Sequence, residues 1–447
     1  MILVNISCEF LPMRFRIRNG FDVPLDGAPE NAATAIGKTG RIALVGTDYA
    51  DLRPSLALEE GDRVRAGETV FSDRRCPDIR VTAPCSGVIR DIRWRRRHRL
   101  ESIVIDVNAD PPIEFEPFAA ADLSELPARV VRERLLESGL WVALRARPYE
   151  NIPAPDIEPR AIFITAIDTN PLAPDPFTEI SSQSYDFSNG VAVISRLTRG
   201  NTYVCTASEQ TIEFAAIQNV TQVEFDGPHP AGLPGTHIHA LEKVGDIPDL
   251  WHIGYQDVIT IGQLFTHGIA SQQRVVGVCG PGARSPRLLR VPVGVELAEL
   301  LRDEQKFDCR LISGSMLSGH QTPGFLGRYH NQVTLLPHEQ RKAGRLGMIA
   351  RMIWRGNTGR DRAASCAMHG YPSGMLPLED FDRVWPYRTA PAALLRSLLS
   401  GDTDSAIELG CQGLAEEDLA LCTYVCVAKH DYGLALRRTL REIEQLG

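Results

Sequence analysis

Lysine is almost missing. Among 447 residues only Lys38, Lys243, Lys306, Lys342 and Lys429 carry it, and none lies between 39 and 242. Arginine supplies the rest of the positive charge. The ten cysteines, at 8, 76, 85, 205, 279, 309, 366, 411, 422 and 426, form no Cys-x-x-Cys pair. Disulfide frameworks belong to short, cysteine-dense secreted chains, so this usage reads as reduced thiols in a cytosolic setting. No apolar run approaches the ~18 residues of a membrane span, which argues against an integral membrane protein. A net charge of −8 lacks the basic surplus of a nucleic-acid binder. A Gly-x-Gly-x-x-Gly fingerprint is absent too, so dinucleotide binding has no support. The opening MILVNISCEFLP has neither the basic n-region nor the long h-region of a signal peptide. Ordered sequence is expected to begin at Met13, with residues 1–12 an extension.

What remains is ordinary globular composition, 43% hydrophobic and 23% charged. At ~150 residues per domain the length suggests about three domains. Residues 13–112 read as short strands and turns. EGDRVRAGETVF (60–71) reads as two short strands around a Gly-Asp turn, and APCSGVIRDI (83–92) as a tight turn entering a strand. That order of phrases resembles the barrel-sandwich fold of biotin- and lipoyl-carrier domains. Those carriers need a lysine on the intervening hairpin; here it is SDRRCPDIR (72–80), which excludes a covalent biotin or lipoyl arm. The Pro-rich stretch ADPPIEFEPFAAADLSELP (109–127) then enters a new unit.

From 126 the periodicity changes. Residues 126–140 predict an amphipathic helix stopped by Gly139. AIFITAI (161–167) is a continuous apolar run, as in a buried parallel strand. GVAVISRL (190–197), NTYVCTA (201–207) and TQVEFDG (221–227) read as further strands, with a helix over TASEQTIEFAAIQN between the last two. Such alternation predicts an α/β unit. Residues 273–345 fit a small β-grasp unit. From 346 the chain reads as mostly helical, with helices over 390–401, 403–410, 416–426 and 432–447, the second capped by Asp402 or Thr403 and closed by Gly410.

Several motifs invite chemistry. Ala32–Thr39 (AATAIGKT) matches a permissive phosphate-loop pattern, but a strand, RIALV, follows instead of the helix whose N-terminus would hold phosphate. Trp94-Arg95-Arg96-Arg97-His98-Arg99 reads as a solvated hairpin tip; contact with anionic lipid is the alternative, and nucleic acid is disfavoured by overall charge. His229, His237 and His239 fall in GPHPAGLPGTHIH (227–239). On one strand, His237 and His239 would share a face, as metal ligands do. No local Cys, Asp or Glu completes the set, and the glycines and prolines favour an ordered loop that fixes structure or lines a ligand. Cys411, Cys422 and Cys426 are one short of the four thiolates an iron–sulfur cluster wants, and read as packed core cysteines.

The long phrases converge. NGFDVPLDGAP, GTDYADLRPSL, EGDRVRAGETVF, TAPCSGVI, ALRARPYENIPAPDIEPRAIFITAIDTNPLAPDP, GPHPAGLPGTHIH, WHIGYQDVITIGQLF, ISGSMLSG, FLGRYHNQV and GDTDSAIELGCQGLAEEDLALCTYVCVAKHDYG together resemble the A subunits of the Na+-translocating NADH:quinone reductases (Na+-NQR), from about Met13 to the C-terminus. One departure is Val425-Cys426-Val427-Ala428, where the family pattern has a proline after the cysteine. The resemblance implies a multidomain α/β and β fold: an extension (1–12), a barrel-sandwich-like β domain (13–112), a Rossmann-like α/β domain (113–272), a β-grasp, SLBB-like domain (273–345) and a C-terminal helical bundle (346–447). It implies a peripheral subunit on the cytoplasmic side of a bacterial inner membrane, touching the membrane through partner subunits of the same complex. It implies no redox cofactor, covalent cofactor or metal on this chain, with NADH and flavins belonging to other subunits. Ubiquinone is the implied ligand. Headgroup recognition needs hydrogen-bond donors beside an apolar slot, and His229, His237, His239, Tyr255 and Asp257 are the candidates because they fall in the two most distinctive α/β phrases. The competing readings are a ligand-free assembly scaffold and an Rnf-type electron-transfer subunit that has lost its clusters.

Overall fold

The computed structural model describes residues 13–35, 39–96, 99–210, 212–214, 217–245, 249–302, 304–321, 324–338, 375 and 379–446. The expected extension 1–12, Lys38 of the phosphate-loop pattern, Arg97 and His98 of the basic run, and residues 339–374 lie outside them.

Two strands, β1 (Met13–Arg16) and β2 (Glu30–Ala35), open the described chain. Seven more follow: β3 (Arg41–Val45), β4 (Pro54–Leu56), β5 (Arg63–Val64), β6 (Thr69–Asp73), β7 (Arg80–Thr82), β8 (Gly87–Arg95) and β9 (Arg99–Val107). These seven form a four-stranded sheet, β3-β9-β8-β5, and a three-stranded one, β4-β6-β7. Gly61 and Gly67 stand at φ 93° and 88°, left-handed turn conformations that glycine adopts without a Cβ clash. β1 and β2 leave this unit. β1 runs parallel to a strand of the α/β sheet and β2 parallel to one of the β-grasp sheet, so sheet membership crosses the expected boundary at 112.

The α/β unit contains α1 (Ala128–Glu137), β10 (Arg145–Arg147), β11 (Ala161–Ala166), α2 (Pro176–Ser182), α3 (Ser184–Ser195), β12 (Asn201–Ala207), β13 (Val220–Asp226), α4 (Pro234–Leu241), β14 (Leu250–Gly254) and α5 (Tyr255–His267). The sheet order is β1-β13-β12-β11-β14-β10, parallel except at β10. Only Thr165 of β11 is not fully buried, which is why that strand reads as an unbroken apolar run.

Two expected elements are wrong here. GVAVISRL is helix α3 rather than a strand. Phe187 and every residue from Asn189 to Ser195 are buried, and a helix buried nearly all round has the same continuous apolar signature as a buried strand. The expected helix between β12 and β13 does not form among the described residues of 208–219. Ile212, Phe214 and Ile217 anchor that irregular crossover to the core instead. α3 and α5 approach through glycines: a Cβ on Gly190 would stand 2.0 Å from the Val258 carbonyl oxygen, and one on Gly262 1.9 Å from that of Asp186.

The third unit is β15 (Gln273–Cys279), β16 (Arg287–Pro292), α6 (Leu297–Leu300), β17 (Cys309–Ser313) and β18 (Gln332–Pro337), in the order β17-β18-β15-β16-β2. The helical unit adds α7 (Glu379–Val384), α8 (Pro391–Ser400), α9 (Thr403–Glu408), α10 (Ala420–Val425) and α11 (Tyr432–Leu446). Asp402 caps α9 by accepting from the Ser405 amide, and Gly410 follows at φ 82°. α10 stops at Val425 without the family proline, Cys426 being already extended. Cys411, Cys422 and Cys426 are buried in this unit's core. The barrel and the α/β unit share one core, in which Trp141 and Trp251 meet edge-on at 5.5 Å. Gly262→Val should therefore force α3 off α5. We expect a destabilisation of about 3 kcal/mol or more, read as a lower urea midpoint.

Candidate functional site

The order β13-β12-β11-β14 reverses direction between β11 and β14, and ligands of open α/β sheets bind at the strands' carboxyl ends beside such a switch. Over the carboxyl ends of β11, β12 and β13, on the side of β11 away from that switch, a cavity of about 260 Å³ is lined by Ile167, Pro176, Ala207 and Phe225 on its apolar side, and by Asp168, Thr169, Asp175, Ser208, Gln210 and Asp226 on its polar side. Among the described residues the Ser208 hydroxyl and the Gln210 Oε1 have no hydrogen-bond partner. Asp168 accepts from both the amide and side chain of Asn170, each at 2.9 Å, yet burial raises its pKa. Three carboxylates around one cavity repel phosphate, which matches the missing glycine-rich loop. A second, larger groove of about 400 Å³ between α2, α5 and the β-grasp sheet is lined mostly by Gln, Ser and Thr with the Glu179–Arg290 ion pair.

The five residues singled out from sequence divide. His229 stands behind the cavity wall, its Nδ1 3.2 Å from the Thr169 hydroxyl, and its amide donates to Asp22. His237 backs another part of the wall, 4.3 Å from the Phe225 ring, with Nε2 donating to the Ala231 carbonyl. Burial lowers the pKa of His229 to about 4 and of His237 to about 3. Tyr255 opens α5 at the same edge; burial raises its phenol, with the Asp168 charge adding to the effect. His239 turns elsewhere, its ring 4.5 Å from Tyr387 of the helical unit. The ordered loop expected over 227–239 is corrected in its second half, where His237 and His239 lie on α4; there a spacing of two residues separates side chains by about 200°, not the shared face a strand would have given. Asp257 is committed to structure. Both its oxygens accept from Arg274, at 2.8 and 2.7 Å, and Arg328 approaches at 3.3 Å.

A larger charged cluster escaped the sequence reading. Arg147, wholly buried, faces Glu150 at 2.7 Å and Asp418 at 3.3 Å. Glu150 also pairs with His252, while Asp418 accepts from the Tyr387 hydroxyl and the Ala415 amide, each at 2.7 Å. Burial alone would raise the Glu150 pKa; Arg147 and His252 overcome it and hold the carboxyl well below its usual range. Beside them the half-buried Glu417 carboxyl is pushed up to about 8, by burial first and then by Asp418 and Glu150. The only local signals were two: Arg147-Pro148-Tyr149-Glu150, and the acidic run Glu416–Asp418 ahead of an apolar helix.

Family models match three stretches: the NqrA N-terminal barrel-sandwich hybrid domain over 15–108, the NqrA second alpha/beta domain over 126–270 and the NQRA C-terminal domain over 275–324. Curated proteins named as the A subunit of Na(+)-translocating NADH-quinone reductase match nearly end to end. The one from Yersinia pestis bv. Antiqua (strain Angola) is 44% identical over 453 residues, 97% of this chain and 100% of that one. This chain belongs to that family. Its Klebsiella pneumoniae (strain 342) and Pseudomonas aeruginosa PAO1 relatives are 43% and 42% identical, each over 97% of this chain and 100% of theirs. Among solved structures, an NAD+-reducing [NiFe]-hydrogenase in its air-oxidized state matches at 12% identity and a TM-score of 0.38, over 90% of this chain and 80% of that one, too slight a likeness to build on. In this chain no described helix is long and apolar enough to cross a membrane, and no described group of three His, Cys, Asp or Glu could hold a metal ion.

Two measurements probe the site. His229 and His237 titrate below the ordinary 6.5 when folded, so the unfolded chain takes up protons first as pH falls. Stability is therefore lost from about pH 6.5 downwards, by ~3 kcal/mol per histidine at pH 4. His229→Asn should remove about that much of the difference between pH 7 and 4, measured by denaturant unfolding of both proteins. Asp418→Ala leaves Arg147 with Glu150 as its one ion-pair partner among the described residues. A loss of ~3–5 kcal/mol and proteolytic release of the helical unit are expected.

Proposed function

We propose that this chain is the accessory, cytoplasmic-side subunit of its Na+-translocating NADH:ubiquinone reductase and helps to bind ubiquinone, while NADH oxidation and flavin chemistry reside on partner subunits. The observation that carries this reading is the cavity at the carboxyl edge, where an apolar wall of Ile167, Pro176, Ala207 and Phe225 faces polar atoms with no hydrogen-bond partner among the described residues. A quinone carbonyl needs a donor, and the Ser208 hydroxyl offers one. The reduced quinol needs an acceptor, which the Gln210 Oε1 offers. His229 and His237 then act from behind, fixing Thr169 and Phe225, while Tyr255 opens α5 at the same edge of the sheet. His239 and Asp257 join the units around the cavity. No residue of this chain is required to carry electrons.

The second reading, an assembly scaffold without a ligand, is favoured by one observation: Asp257, His237 and His239 already spend hydrogen bonds inside the protein. Photoreactive ubiquinone labelling of the intact complex separates the two. Adducts within 167–176 or 207–227 are expected, and Ser208→Ala should raise the quinone KM about fivefold with little change in kcat. Labelling that spares this chain leaves the scaffold.

A further inference from the structure

The basic run that the sequence presents as a solvated tip has a more specific geometry. β8 and β9 are nine residues each, but their sheet partners are short. β3 pairs with β9 only from Asp106 to Ser102, and β5 pairs with β8 only at Gly87 and Val88. Beyond those residues the β8–β9 ribbon continues as two strands, to the pairs Trp94↔Leu100 and Arg95↔Arg99. The register shifts between Arg93 and Trp94, the kind of irregularity that re-aims a side chain. Trp94 is 41% exposed, while Trp141, Trp251 and Trp385 are at most 2% exposed. Its indole N–H makes no hydrogen bond among the described residues.

Charge gathers around that indole. Arg93, Arg95, Arg96 and Arg99 are all exposed. Asp91 pairs with Arg93 at 2.6 Å and Glu101 with Arg95 at 3.0 Å, whereas Arg96 and Arg99 have no carboxylate partner among the described residues. A local positive excess on a chain of net charge −8 orients the molecule in the field of an anionic surface, tip first. An amphipathic indole beside arginines suits the headgroup layer, where the ring lies at the acyl boundary and the guanidinium groups bind phosphates bidentately.

We propose that the β8–β9 tip, through Trp94, Arg96 and Arg99, docks directly on the anionic lipid surface beside the reductase, in addition to any attachment through partner subunits. The contact is independent of quinone binding, so failure of either leaves the other standing. Lipid phosphate is the ligand. Overall negative charge disfavours an extended nucleic-acid backbone, which would need a broad basic surface rather than a tip.

The full chain is floated with phosphatidylcholine vesicles, with and without roughly 30 mol% phosphatidylglycerol. Co-flotation only with anionic vesicles is expected, reversed near about 0.5 M NaCl, with a blue shift of tryptophan emission that Trp94→Phe abolishes. Arg96→Ala with Arg99→Ala should weaken binding roughly 25-fold, each arginine counting about fivefold. Because these side chains are exposed, unchanged thermal unfolding of the variants checks that the fold is intact. Equal binding to neutral vesicles, no binding to anionic ones, variants that bind like wild type, or displacement by poly(U) at matched charge would each overturn the proposal.

Discussion

Arg147 is enclosed on every side and keeps its charge, because Glu150 and Asp418 more than offset what burial alone would do to its pKa. Taking such a cation from water costs several kcal/mol unless carboxylates meet it. One comes from three residues along the chain, where Glu150 is held at φ 58°. The other comes from Asp418, 271 residues away. This buried pair ties the edge strand β10 to the helical unit. Gly235 makes room: a Cβ there would stand 2.3 Å from an Asp418 oxygen, against the first turn of α4.

A second clamp works the same way at the opposite junction. Asp257 of α5 holds Arg274 and Arg328, and the Arg328 amide donates to Asp48 of the barrel at 2.8 Å. Burial pushes the Asp48 pKa up to about 6, with Arg328 and Arg145 pulling against it. Arg145 in turn lies 4.2 Å over the Tyr329 ring, whose hydroxyl donates to the Val142 carbonyl. Misdocking any unit would strand a buried charge, so these pairs specify one arrangement of the units. The cavity at the carboxyl edge is framed by segments that this arrangement holds in place.

Much of the fold was legible locally. Turn glycines at 61 and 67, the run at 161–167 and the cap at Asp402 each declare themselves within a few residues, because they reflect backbone sterics or a period of burial. α3 was misread because a fully buried helix loses the periodic polar face that distinguishes it from a buried strand. The helix carrying His237 and His239 was read as loop because prolines and glycines precede it, with Pro234 and Gly235 in its first turn; two residues apart on it means nearly opposite faces. Of the five candidate site residues, His229 and His237 stand behind one cavity, a grouping that periodicity does not encode.

Residue identity and order were enough to exclude a carrier arm, since the β6–β7 hairpin bears Arg74 and Arg75 and no amine, and enough to reveal the family through long shared phrases. The folded chain was needed to show that Arg147 meets Asp418, that Asp257 serves a clamp, and that Thr169 and Phe225 rather than the histidines behind them face the cavity. Covalent chemistry and turn geometry belong to single residues and their neighbours. Pairing across hundreds of residues depends on how whole sheets and helices stack, and is settled only when they do.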